Sequence, residues 1–150
     1  MKNIAVILSG CGYLDGSEIT ETVSTLISLS LSSCTYSVFA PDINVSTINH
    51  LNQESSGERS ILGETCRITR GQTQALSELN PENFDGLAIP GGFGVAKSLC
   101  TWAADGSNCS VDPTVKKIIK TFHSESKPIL AICIAPVSYT HLTLPTNREV

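Results

Sequence analysis

Short unbroken apolar runs alternate along this chain with segments whose apolar residues recur at helical spacing. The run Ile4-Ala5-Val6-Ile7-Leu8, inside Lys2 to Ser9, reads as a strand buried on both faces. After a loop from Gly10 to Gly16, Ser17 is placed to cap a helix. Ile19, Val23, Leu26, Ile27 and Leu31 would share one face of it. Tyr36 to Ala40 predicts a second strand, closed by Pro41-Asp42, and residues 43–57 read as polar and irregular. Residues 58–70 predict a short helix with Leu62 and Cys66 turned inward.

The second half repeats the alternation. Leu87-Ala88-Ile89 predicts a short buried strand running into Pro90-Gly91-Gly92-Phe93-Gly94. Asp112-Pro113 is a strong helix start, and Val115, Ile118, Ile119 and Phe122 follow on one face. Lys127-Pro128 ends that helix, and Ile129 to Ile132 predicts another buried strand. Strands that are apolar throughout, alternating with helices, imply an α/β domain with a mainly parallel sheet.

Composition narrows the class. The chain has 150 residues, 41% hydrophobic and 16% charged, enough for one core and too few for two. Ten basic against fourteen acidic residues leave a net charge of −4, which argues against nucleic acid as a partner. No apolar run approaches the ~20 residues of a membrane span, so no membrane partner is expected. The N-terminus resembles neither an export signal nor a transit peptide, so a cytoplasmic location is expected. Six cysteines (Cys11, Cys34, Cys66, Cys100, Cys109, Cys133), without a C-x-x-C pair, read as reduced thiols, mostly core filler.

Residues 138–150 break the pattern. Ser138 to Val150 has no helical periodicity where a helix is due, and reads like translated sequencing-adapter sequence. The expectation is a domain over residues 1–137, its C-terminal part missing, followed by a non-native tail. Such a chain, lacking the helix after Cys133, is expected to be poorly soluble or partly unfolded and without turnover.

Three stretches carry candidate chemistry. Cys133 closes a strand where a helix should begin, with Ala131 and Ala135 flanking it at two residues' distance. Small residues there allow the sharp turn of a nucleophile elbow, and a helix N-terminus favours a thiolate. An inert core cysteine is the competing reading. Pro90 to Gly94 sits at the carboxyl edge of the sheet, where Gly91 and Gly92 permit close backbone approach to a ligand. Glu18 and Glu21 open the first helix on the same edge, as dipole complements or as an acid–base group. Cys11, in the neighbouring loop, joins the substrate-binding set and is the competing thiol. A dinucleotide site is a weaker alternative: Gly10, Gly12, Gly16 and Asp42 form a loose version of its fingerprint, and it leaves Cys133 unexplained.

Together these stretches resemble a known family. Ile7-Leu8-Ser9-Gly10-Cys11-Gly12, Asp15-Gly16-Ser17-Glu18-Ile19, Phe39-Ala40-Pro41-Asp42, Arg67-Ile68-Thr69-Arg70-Gly71, Pro90 to Lys97 and Cys133-Ile134-Ala135-Pro136 are similar to ElbB-type proteins. These belong to the PfpI branch of the class I glutamine-amidotransferase-like superfamily. The resemblance implies a flavodoxin-like three-layer α/β sandwich, with no metal and no organic cofactor. It implies a glyoxalase converting glyoxal or methylglyoxal, a small 2-oxoaldehyde, to a 2-hydroxy acid through a cysteine nucleophile. The alternative it allows is a non-catalytic binding or regulatory protein linked to isoprenoid biosynthesis, and a homodimer is compatible with either. Residue by residue, Cys133 matches the nucleophile, and Gly92 with the Ile134 N–H matches the oxyanion donors. Glu21 matches the acid, with Glu18 as the near alternative. The superfamily's later histidine has no counterpart; His141 lies in the suspect tail, and His50 and His123 read as structural.

Overall fold

The computed structural model of the chain describes residues 1–143. In chain order its elements are β1 (Asn3–Ile7), α1 (Ile19–Leu31), β2 (Thr35–Ala40), β3 (Asn44–Ile48), β4 (Ser55–Ser60) and α2 (Ile61–Thr69). There follow β5 (Thr73–Ala75), β6 (Gly86–Ile89), α3 (Trp102–Asp105), α4 (Pro113–Ser124), β7 (Ile129–Ala131) and α5 (Pro136–Thr143). Five strands form one parallel sheet in the order β5-β2-β1-β6-β7. This is the parallel α/β sheet expected from the alternation of buried runs and helices, in the flavodoxin-like form that the family resemblance implies.

Side chains alternate across the sheet, and each face builds its own core. Ala5, Ile7, Phe39, Leu87 and Ile89 face α4, whose Val115, Ile118, Ile119 and Phe122 are buried as the spacing predicts. Each such side chain contributes about 1.5–3 kcal/mol of burial. Asp112 caps α4 by accepting from the Thr114 and Val115 N–H groups, with Pro113 at the first helical position. On the opposite face Val6, Leu8, Val38 and Ala88 pack with Leu26 and Leu29 of α1.

Four expectations need correction. Helix α1 is capped by Glu18, whose carboxylate accepts from the Glu21 N–H; Ser17 is buried and its hydroxyl accepts from the Ser9 N–H. The helix also turns a different face inward. Thr22 and Thr25 are buried, whereas Ile19, Val23, Ile27 and Leu31 are exposed, Leu31 to 81%. Burying the threonines is cheap because their hydroxyls donate to the Glu18 and Glu21 carbonyls one turn earlier.

Residues 43–57 are not irregular throughout: β3 and β4 form an antiparallel hairpin, Val45 opposite Arg59. Its strands are polar and mostly exposed, so no alternation marks them. Helix α2 buries Ile61 and Thr65 rather than Leu62 and Cys66, a rotation of about 100°. The Thr65 hydroxyl is drawn inward to accept from the Gly10 N–H.

The fourth correction concerns the helix after Cys133. The helix due after Cys133 is present as α5, and Ser138, Tyr139 and Thr140 belong to it. Pro136 starts it, Ser138 is buried with its hydroxyl donating to Ala135 O, and Tyr139 and Leu142 pack on the core. The Tyr139 hydroxyl lies 3.2 Å from His123 Nδ1. Residues 144–150 lie outside the described residues. With α5 in place, a missing helix is no longer a ground for expecting an unfolded, inactive chain. Leu130 of the edge strand β7 nevertheless stays half exposed on the α1 face.

Candidate functional site

Because β1, β6 and β7 are parallel, the segments that follow them emerge at one edge of the sheet. Cys133 follows β7 with φ +57°, a left-handed conformation costing a non-glycine residue about 1–3 kcal/mol. The strain is held from both sides. The Ile132 N–H donates to Ile89 O at 3.1 Å, extending the strand, and the Ala135 N–H donates to Ile132 O at 3.0 Å, closing the turn. Ala135 is fully buried, so the flanking small residue is a packing requirement, and the Cys133 side chain is left exposed. This is the geometry of a nucleophile elbow.

Gly91 gives the two candidate carboxylates different surroundings. Its N–H donates to Glu21 Oε2 at 2.9 Å, and its carbonyl accepts from the Glu18 N–H at 2.9 Å. A β-carbon placed on Gly91 would lie 2.5 Å from Glu21 Oε2 and 2.6 Å from Cys133 Cβ. Glu21 and Cys133 thus meet across a gap that only glycine leaves open. Glu18 does different work: its carboxylate is 2.7 Å from the Glu21 N–H and caps α1. This tether, with the bonds to Gly91, sets the rotation of the helix.

Gly92 has φ +101° and packs against the backbone of Gly16, Ser17 and Glu18. Beside it, the Phe93 N–H donates to Tyr13 O and the Gly94 N–H to Gly16 O, binding this turn to the loop after β1. Among the described residues, neither the Gly92 nor the Ile134 N–H is spent on a backbone acceptor. Cys133, Gly92, Ile134 and Glu18 line an open cavity of about 420 Å³, otherwise walled by Tyr13, Leu14 and Phe93. Glu21 lines a neighbouring cavity of about 470 Å³ between α1 and β7, with Thr25 and Leu130.

Tyr13, Leu14 and Phe93 belong to no catalytic pattern in the sequence. The usable signal was an aromatic residue inside each of two glycine-rich loops, where a core position is excluded. Lys97 steadies this wall, its ammonium 5.4 Å from the Phe93 ring centroid and 3.3 Å from Leu14 O. His50 steadies the other side: it packs edge-on against Tyr13, and its Nε2 accepts from the Leu14 N–H.

Cys11 is not brought to this cavity. It lines a separate crevice of about 50 Å³ with Asp15, His50, Arg59 and Glu64. Burial pushes its thiol above the ordinary range, and the Glu64 charge adds to that. The expectation of core-filling cysteines also changes: Cys100 is buried, whereas the other five are partly or fully exposed. Among the described residues no group of three or more His, Cys, Asp and Glu side chains converges as a metal site. No helix there is long and apolar enough to cross a membrane.

A raised pKa means less thiolate at neutral pH, so Cys11 should react more slowly than the exposed Cys133. Limiting iodoacetamide followed by peptide mapping is expected to label Cys133 first. Preferential labelling of Cys11 would remove the elbow assignment.

Known proteins are similar to this chain in sequence and fold. The chain is 44% identical over 137 residues to the human mitochondrial glutamine amidotransferase-like class 1 domain-containing protein 3, covering 89% of this chain and 51% of that protein. It is 43% identical over 137 residues to the rat mitochondrial ES1 protein homolog, covering 89% of this chain and 52% of the relative. The chain thus spans about half the length of these curated relatives, whose names place them in mitochondria rather than the cytoplasm. The crystal structure of an isoprenoid biosynthesis protein with amidotransferase-like domain from Ehrlichia chaffeensis superposes with a TM-score of 0.87 at 38% identity, covering 95% of this chain and 66% of that one. Residues 13–149 match the DJ-1/PfpI family, and the chain belongs to it.

Proposed function

We propose that the site performs cofactor-independent glyoxalase chemistry of the ElbB type, with Cys133 as nucleophile and Glu21 as the proton-transfer group. The single observation that carries this reading is the left-handed Cys133, exposed at the strand end and separated from the Glu21 carboxylate only by Gly91. The thiol sulfur adds to the aldehyde carbon of methylglyoxal, and the thiol proton ends on the new hydroxyl of a hemithioacetal. Glu21 takes the proton from that carbon and returns it to the neighbouring carbonyl carbon, while the hemithioacetal hydroxyl proton passes to the former carbonyl oxygen, leaving a 2-hydroxy thioester. Water then cleaves the thioester, releasing the 2-hydroxy acid and restoring the thiol. The Gly92 and Ile134 N–H groups are the donors available to the oxyanion, each worth about 2.7–4 kcal/mol in comparable sites.

A second reading, a non-catalytic binding protein on the same fold, is favoured by one observation. Glu21 lines the neighbouring cavity rather than the one that holds Cys133. The two readings separate in one assay, consumption of methylglyoxal without added thiol or metal, run on this chain and on the human relative side by side. Lactate from both supports a complete site within the chain. Lactate from the relative alone places missing parts of the machinery in the relative's further residues. Lactate from neither sinks the glyoxalase reading and leaves the binding protein.

A further inference from the structure

The segment between the candidate site and α4 carries two thiols that the glyoxalase chemistry does not use. A π-helical turn over Val95–Leu99 ends at Cys100, which is extended at φ −153° and ψ 173°. The chain then makes α3 and a short 3₁₀ turn, and returns through Cys109, also extended at φ −61° and ψ 152°. A narrow two-stranded neck closes this excursion: Cys100 bridges Val111 in antiparallel fashion, and the Thr101 N–H donates to Ser110 O at 2.9 Å. The Ser110 N–H returns a bond to Thr101 Oγ1 at 3.0 Å, and the Asp112 N–H donates to Leu99 O at 3.0 Å.

Cys109 precedes Val111 by two residues, so along extended chain its side chain leaves the same side of the neck. Val111 faces Cys100, and Cys109 is therefore its diagonal cross-strand neighbour. Burial holds the Cys100 thiol above its ordinary range, and the neighbouring Cys109 adds to that. Both are free thiols, Cys100 buried and Cys109 partly exposed.

We propose that Cys100 and Cys109 form a thiol–disulfide exchange site, closing an intrachain disulfide across the neck when the protein meets a low-molecular-weight disulfide. Cys109, the accessible partner, attacks the small disulfide. A sulfur–sulfur bond forms to Cys109, and one small thiol leaves with the proton Cys109 gave up. Cys100 then attacks the Cys109 sulfur of this mixed disulfide and displaces the second small thiol, which takes the Cys100 proton. Two protein thiols are oxidised, one small disulfide is reduced to two thiols, and the balance is complete. Closure withdraws the Cys100 thiol from Val95 O, which it meets at 3.5 Å, and ties down the loop bearing Trp102, the chain's single tryptophan.

The full chain is treated with oxidised glutathione, remaining thiols are alkylated, and the protein is digested with trypsin. Cleavage after Lys97 and Lys116 leaves both cysteines in one peptide. That peptide is expected two hydrogens lighter than its reduced form and without alkyl groups, and Trp102 emission should change and recover with dithiothreitol. In Cys100→Ser, Cys109 is expected to stop at a single glutathione adduct, and in Cys109→Ser the emission change should vanish. A peptide alkylated at both cysteines, at an oxidant level that modifies Cys133, would overturn the proposal. So would two separate glutathione adducts on the wild-type peptide, or the same emission change in Cys109→Ser.

Discussion

Exchanging Glu21 for Gln is expected to lower methylglyoxal turnover by about 10²–10⁴-fold, the usual worth of a positioned proton-transfer group. The amide keeps the size of the side chain and an oxygen that can accept from the Gly91 N–H, so the fold should hold. What is lost is the ability to take and return a proton beside Cys133. Glu18→Gln should act differently, because the Glu18 carboxylate caps α1 through the Glu21 N–H. The amide oxygen can still accept that bond and only the charge at the helix N-terminus is lost, so the expected effect is a loss of stability of about 0.3–1 kcal/mol with a smaller change in turnover. Rates and thermal melts for both variants decide the matter. They are measured in this chain or, if it is silent, in a chimera completed with the human relative's remaining residues. A larger rate loss for Glu18→Gln would move the acid one helical turn, and near-normal rates for both would remove the acid–base role.

Gly92→Ala is expected to be among the most damaging single methyl additions in the chain. At φ +101° an alanine is strained whatever space it is given, at about 1–3 kcal/mol. Here it has none, because the new carbon would overlap backbone atoms of Gly16, Ser17 and Glu18, which cannot swing aside as a side chain can. Overpacking adds about 1–3 kcal/mol, so a total of about 2–6 kcal/mol is expected, with the Gly91 loop pushed away from Glu21. Gly57→Ala is the control: its φ is also positive, but nothing lies within 4 Å of the added carbon. Denaturant unfolding of the two variants measures the difference. Equal losses would mean that the loop packing around Gly92 carries no stability.

How the site came to be readable can be seen residue by residue. Cys133 stood out because Ala131 and Ala135 give it, at the end of an apolar run, the small flanks that a sharp strand-to-helix turn needs. The folded chain supplies the strained backbone of such a turn at that residue. The pair Glu18 and Glu21 could not be separated by spacing, since both lie at the start of α1. Only the folded chain, by bringing Gly91 across from another strand, gives the two carboxylates different partners. Cys11 shows the opposite failure. Its loop lies on the correct sheet edge, but the β3–β4 hairpin and α2 enclose it in a crevice of its own.

The elements legible in the amino-acid order alone are those whose burial and capping are local matters. The β1 and β6 runs are apolar throughout and have no stable place except between two layers, and α4 carries its cap, its proline and its apolar stripe close together along the chain. Tertiary structure decided the rest. Helix α1 is apolar on more than one side, so its rotation follows from the Glu18 and Glu21 bonds to Gly91 rather than from its own pattern. The hairpin β3–β4 is polar and held by cross-strand pairing, and α5 has no periodicity yet is helical because the elbow at Cys133 aims it against α4. In each of these the deciding partner lies outside the element itself, so no local pattern could contain the answer.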